Sequence, residues 1–194
     1  MINIEKNKKL FCQLLNSTGR ANTKNLINYL KREGFFEAPA SSKFHLNVPG
    51  GLVEHSLTVY DALGKLNTAF LEREKRIPLN SVIISALLHD VCKIDNYHLF
   101  ENKETNQKEY KREDLNPIGH GEKSVILILQ QGFPLTATEI AMIRWHMAMY
   151  DPAYARNSKD VKKIYPEAKL LYFADDIATQ YLEEGGRSGD SDIS

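Results

Sequence analysis

The chain has 194 residues, 42% of them hydrophobic, with 25 Lys plus Arg balanced by 25 Asp plus Glu. That length suffices for one well-buried core and cramps two. The balanced charge excludes the global basic excess that draws proteins onto nucleic acid or anionic membrane, so a polyanionic substrate must be captured locally. No apolar run approaches the roughly 20 residues that span a bilayer, and the opening MINIEKNKKL lacks the apolar stretch of a secretory signal. Cys12 and Cys92 are too few for a disulfide framework or a thiolate zinc site. Together these features predict a cytoplasmic protein with reduced, packed thiols and no membrane partner.

Residues 1–48 read as a helical extension packed on the rest, with Leu10, Phe11, Leu14 and Leu15 on one stripe and Leu26, Ile27 and Leu30 on another. Gly34 ends the second helix. The stretch FFEAPASSKFHLNVPGG is broken by Pro39, Pro49, Gly50 and Gly51, so it predicts an ordered loop that sets His45 ahead of the first long helix. From Leu52 to about Leu71, Leu52, Val59, Leu63 and Leu66 recur at helical spacing, and His55 shares their stripe. Asn80 can cap a helix through SVIISALLHDVCKI that is apolar nearly all round, with His89 and Asp90 near its inner end.

Asn96 to Arg112 alternates aromatic and long side chains around a polar tip, which predicts a two-stranded hairpin, a loop being the alternative. Asn116 and Pro117 precede a helix from Gly119 to Gln131, opened by His120. Thr136 with Glu139 makes a capping-box start for a helix ending around Met149, nearly closed by His146. The last helix runs from about Glu167 to Leu182 and turns Asp175 inward while Asp176 points elsewhere. The Gly- and Ser-rich residues 185–194 predict a disordered tail. The fold class is therefore all-α, a bundle of about seven helices with a small β-hairpin insertion, its main domain spanning residues 49–184.

Four of the six histidines and two aspartates fall on five helical segments spaced by about 26 to 34 residues. A lone inward histidine is more often a hydrogen-bonded core residue than a ligand. Burying Asp90 and Asp175 without partners, however, costs several kcal/mol each, on the order of a domain's whole net stability. A shared divalent transition metal removes that objection, because imidazoles and carboxylates converging between helices are its preferred ligands.

The series GGLVEHSLTVY, SALLHDVCKID, GHGEKSV, IRWH and LLYFADDIA, from Pro49 to Leu182, resembles the HD-domain metal-dependent phosphohydrolase superfamily. The resemblance implies a first metal held by His55, His89, Asp90 and Asp175, with Asp90 bridging to a second held by His120 and His146. Many relatives have two adjacent histidines where this chain has Trp145-His146-Met147. It implies hydrolysis of a phosphomonoester or phosphodiester, of a nucleotide or short oligonucleotide, by a metal-activated hydroxide. One or two ions of Mn, Fe, Co, Ni or Zn suit the ligand set.

Asp90 and Lys93 are the candidate catalytic residues. Lys93, one turn after the His-Asp pair, can hold a phosphate oxygen or offset developing negative charge, a solvated surface lysine being the alternative. His45 is a candidate substrate-binding residue, by likeness to the superfamily, against an exposed loop histidine without function. Arg144 should point roughly 160° from His146 on an ideal helix and so lie outside the site. The competing readings are a catalytically silent, metal-stabilised nucleotide-binding protein and a di-iron oxygenase. A homodimer is compatible with the extension's free surface.

Overall fold

Eight α-helices and one hairpin order the described residues, 2–43, 46–102 and 107–183, of a computed structural model of the chain. In chain order they are α1 (Ile4–Ser17), α2 (Thr23–Arg32), α3 (Gly51–Phe70), α4 (Leu79–Leu88), β1 (Tyr97–Asn102) and β2 (Gln107–Arg112). They continue with α5 (His120–Gln130), α6 (Ala137–Trp145), α7 (Tyr154–Ile164) and α8 (Glu167–Ile177), which runs on into a π-helical turn, Ala178–Leu182. The strands pair antiparallel with Tyr97 opposite Arg112. The expected all-α bundle with a small hairpin is thus present, while His45 and the tail at 185–194 lie outside the described residues. No helix among the described residues is long and apolar enough to cross a membrane.

The centre of the bundle is α4, whose residues from Ser81 to Leu88 are all buried. Its all-round apolar surface has no solvent face to offer, so it must be wrapped on every side. One core joins Ile83, Ile84, Leu87 and Leu88 of α4 to Leu52 and Val53 of α3, and to Val125 and Ile128 of α5. The same core takes in the N-terminal stripe through Phe11, Phe35 and Phe36, whose ring centroids stand 5.2 to 5.3 Å apart in tilted and edge-on contacts. A second core packs Val59, Leu63, Ala86 and Met142 against Leu171 and Ala174 of α8.

Local chemistry sets the element ends. The Thr136 hydroxyl accepts from the Glu139 N–H at 3.2 Å, and the Glu139 carboxylate accepts from the Thr136 N–H at 2.8 Å, the reciprocal cap expected from sequence. At the entry to α3, Gly50 takes φ 80°, and a Cβ on Gly51 would sit 2.9 Å from the Ala40 nitrogen, so loop and helix approach only because that side chain is missing. Asn80 does not cap α4: the helix starts at Leu79 after Pro78, and the Asn80 amide donates to the Thr18 carbonyl at 3.1 Å. Pro78 pre-sets the entry, which frees Asn80 to tie α4 to the end of α1.

Two helices end earlier than periodicity suggests. The α4 helix stops at Leu88 and gives way to a 3₁₀ turn, Val91–Asp95, while α6 stops at Trp145, with Ala148 at a left-handed φ of 41°. The α7 helix had no clear signal, since among its residues only Tyr154 and Val161 are buried and its apolar stripe is thin. At the hairpin foot, the buried Lys123 ammonium donates to Asn96 Oδ1 at 3.1 Å and Asp114 Oδ1 at 2.9 Å. One α5 side chain thereby clips both ends of the hairpin.

Candidate metal centre

Each of the six expected residues reaches one place from a different vantage. His55 projects from the body of α3, and Asp175 from α8. His89 and His146 sit at the C-caps of α4 and α6, and His120 opens α5. Asp90 follows His89 with φ −106° and ψ 20°, so the chain leaves the α-helix there. That loosening lets two consecutive side chains face one centre, which an unbroken helix forbids.

The side chains are within touching distance. His55 Nε2 lies 3.2 Å from His89 Nε2 and 3.2 Å from Asp175 Oδ1. The two Asp90 oxygens divide between the halves of the centre. Oδ2 lies 3.6 Å from His55 Nε2 and 3.5 Å from His89 Nε2, whereas Oδ1 lies 2.6 Å from His120 Nε2 and 3.5 Å from His146 Nε2. The four imidazoles form a row, with successive centroids 5.2, 4.9 and 5.2 Å apart in the order His55, His89, His146, His120. His55, His89, His146 and Asp90 are buried.

The hydrogen bonds on the far side of the rings decide what the near side can do. His89 Nδ1 faces the Ala86 carbonyl at 2.8 Å, and His146 Nδ1 faces the Ile143 carbonyl at 2.6 Å. A carbonyl only accepts, so both Nδ1 atoms carry hydrogen and both Nε2 atoms of the neutral rings present a lone pair. His55 Nδ1 stands 2.9 Å from Glu183 Oε1, which orients it the same way. With these rings neutral, two lone pairs would face each other between His55 and His89, and His146 Nε2 is buried without a hydrogen-bond partner. A positive charge between the rings, either a proton or a metal ion, relieves that contact. Donors sharing one ion at about 2.1 Å sit roughly 3 Å from each other, close to the 3.2 Å found. The donor set therefore fits a divalent transition metal.

His120 is set differently. Its Nε2 is at hydrogen-bonding distance from Asp90, and its Nδ1 faces Cys92 Sγ at 3.3 Å. As a ligand it would have to exchange that bond to Asp90. Three donor groupings, His55/His89/Asp175, His89/Asp90/His146 and Asp90/Cys92/His120, each have their donor atoms within 4.8 Å of one another.

Residues 52–180 match the family model for the HD domain. The chain belongs to the HD-domain family. Membership supports the expected class, a hydrolase of phosphoric ester bonds, and the expected divalent metal. This HD protein is also 27% identical over 142 residues to a dihydroneopterin 2′,3′-cyclic phosphate phosphodiesterase of Methanocaldococcus jannaschii. The alignment covers 72% of this chain and 51% of the relative, so the chain spans about half the length of the curated protein it matches. No solved structure matches it.

The charges of the HD centre reinforce one another. Burial disfavours charge on His55, but Glu183 and Asp175 outweigh it and raise the pKa to about 10. Burial likewise opposes ionisation of Asp90, and Lys93, His89 and His120 overcome it, holding the carboxyl well below its ordinary range. Asp175 is lowered against its own burial by His55 and His89. For His120, burial wins and the pKa falls. Burial and the Asp90 charge push the Cys92 thiol up to about 12, so it rests as a neutral thiol.

Beyond the ligand cluster a cleft of about 670 Å³ opens, with Asp90, His120, His146 and Asp175 on its floor. Lys93 reaches the floor too, its Nζ 2.6 Å from Asp90 Oδ2. Burial opposes the Lys93 charge, but Asp90 outweighs it and keeps the amine protonated. Tyr97, Arg112, Tyr150, Arg156 and Tyr172 line the walls.

Arg144 and Asp176, expected to face away, also line this cleft, because it extends well past the ring of ligands. The Arg144 guanidinium is engaged by Glu122 and Asp151 and stacks on Trp145 at 3.9 Å. His98 lies exposed on β1, away from the cluster. Sequence reasoning missed Glu183. Its one signal was its place a little over two helical turns after Asp175, at the end of the last apolar helix.

Proposed function

We propose that this HD domain hydrolyses a phosphomonoester or phosphodiester in a small, nucleotide-like molecule, using divalent metal held by His55, His89, Asp90 and Asp175, with a second position at His120 and His146. The observation that carries the reading is the convergence of three imidazoles and two carboxylates on one centre, which meets an open cleft at Asp90, His146 and Asp175. Metal bound there would supply Lewis acidity toward phosphoryl oxygens and acidify a water for attack on phosphorus.

The chain's own groups complete the site. Asp90, with one oxygen toward each half of the centre, is suited to join the two positions. Lys93, kept protonated and fixed against Asp90, offers a cation to a phosphate oxygen and does not act as a base. Arg112 and Arg156 add positive charge along the walls, and Tyr150 and Tyr172 offer aromatic faces for a planar heterocycle. The cleft volume suits a single small ligand better than a long polymer. The activity named for the M. jannaschii relative makes a 2′,3′-cyclic phosphodiester the first substrate to try.

The test is turnover by protein loaded in turn with Mn, Fe, Co, Ni and Zn. Aryl phosphate mono- and diesters come first, then 2′,3′-cyclic nucleotides, mononucleotides and short oligonucleotides. Hydrolysis that depends on metal and on Asp90 is expected. Inactivity with every ion and every substrate would overturn the proposal and leave the metal-stabilised binding protein as the better account.

A further inference from the structure

The ligand histidines are oriented by two different devices. His89 and His146 stand at helix C-termini, where the last carbonyls have no partner within the helix, and each ring takes the one three residues back. His55 has no such carbonyl at hand. It sits inside α3, where the backbone carbonyls are engaged in the helix and that of Leu52 also accepts from Ser56 Oγ at 2.9 Å. The partner of its Nδ1 must come from elsewhere.

It comes from Glu183, whose side chain is only 2% exposed and whose Oε1 is 2.9 Å from His55 Nδ1. The chain arrives there through the π-helical turn that ends α8: the Glu183 N–H donates to the Ala178 carbonyl, five residues back, at 3.1 Å. In an unbroken α-helix a residue eight places beyond Asp175 would be rotated about 80° from it. The wider turn takes up that offset. One helix and its extension therefore hold His55 from both sides, Asp175 at Nε2 and Glu183 at Nδ1. Glu183 also lies beyond residue 180, where the family match ends.

We propose that Glu183 is the positioning residue of the metal centre: by accepting from Nδ1 it fixes the His55 ring and keeps the Nε2 lone pair aimed at the shared ion. The proposal rests on the metal-centre reading above. Removal of a carboxylate behind a ligating histidine lowers metal affinity by about 10- to 100-fold.

The experiment compares wild type with Glu183→Ala and Glu183→Gln by calorimetric titration of metal-free protein with Mn²⁺ and Zn²⁺. Circular dichroism monitors the fold, and nitrogen NMR of the imidazoles in the Zn²⁺-loaded protein reports which His55 nitrogen carries hydrogen. Glu183→Ala is expected to keep its helical content, to bind the first ion about 10- to 100-fold more weakly, and to show a mixed His55 tautomer. Glu183→Gln retains an oxygen acceptor, so it should keep the Nδ1–H tautomer and recover part of the affinity. Should the alanine variant not fold, Glu183→Met fills the same space without an acceptor and carries the same expectation. Alanine or methionine variants that bind the first ion within about twofold of wild type, with the tautomer unchanged, overturn this proposal alone. Wild type that binds no ion overturns the metal-centre reading and this proposal with it.

Discussion

Gly121→Ala is a one-methyl perturbation aimed at the second half of the centre. Gly121 follows His120 at the start of α5 and lies against the backbone of Arg144, two residues before His146. A Cβ there would stand 2.7 Å from the Arg144 carbonyl carbon and 2.8 Å from its Cα. Ordinary carbon contacts lie at about 3.5 to 4.0 Å, so the helices must part by about 1 Å. Backbone cannot rotate out of the way as a side chain can. Overpacking of this kind costs about 1–3 kcal/mol, and in a domain of this size each kcal/mol lowers Tm by about 2–4 °C. Metal sites tolerate only about 0.2 Å in ligand distance, so His120 and His146 should no longer serve one ion. The expected result is a Tm lowered by several degrees and loss of the more weakly held ion, with the ion at His55, His89 and Asp175 retained. Thermal melts and elemental analysis after dialysis read both. A variant as stable as wild type that loads the same number of ions would refute the reasoning.

Gly64→Ala is the control of opposite sign, because a Cβ there meets nothing within 4 Å in the middle of α3. It should stabilise the protein by up to about 1 kcal/mol in chemical denaturation and leave metal content untouched. Lys93→Met should retain its ions yet lose about 10²-fold in kcat, and an unchanged kcat would remove Lys93 from the chemistry. For pH, burial lowers the His55 pKa but Glu183 and Asp175 raise it to about 10, above the ordinary value of 6.5. The stability gained from its charge is thus complete below about pH 6.5 and fades as pH rises toward 10. Chelator-treated protein should melt at progressively lower temperature across that window. Added metal should stabilise more as pH rises, because the ion displaces the proton. A metal-free Tm that climbs from pH 7 to 9.5 would contradict this.

Much of the architecture was legible because its signals are local. The capping box at Thr136 and the apolar wrap of α4 each follow from a few neighbouring residues. The six candidate residues were readable for another reason: inward carboxylates and imidazoles on separate helices are too costly unless they meet. What stayed hidden depends on contacts between distant parts of the chain. Asn80 serves the end of α1 in place of its own helix, and α7 offers too few buried residues to mark itself. Glu183 reaches His55 only because of a π-helical turn, for which a single sequence carries no clear pattern. Arg144 stands outside the ligand groupings, as the helical wheel implies, yet lines the cleft, because a wheel gives a direction about an axis and not the extent of the cavity beyond it.

The Lys123 clip at the foot of the hairpin bears on how such an enzyme diversifies. Because Asn96 and Asp114 are both anchored to α5, Tyr97 and Arg112 hold their places on the cleft wall whatever the strands do farther out. Insertions, deletions or substitutions toward the hairpin tip can then remodel what enters the cleft without disturbing the histidines beneath. Lineages carrying this arrangement would be free to exchange one ligand for another while inheriting the histidine cluster unchanged.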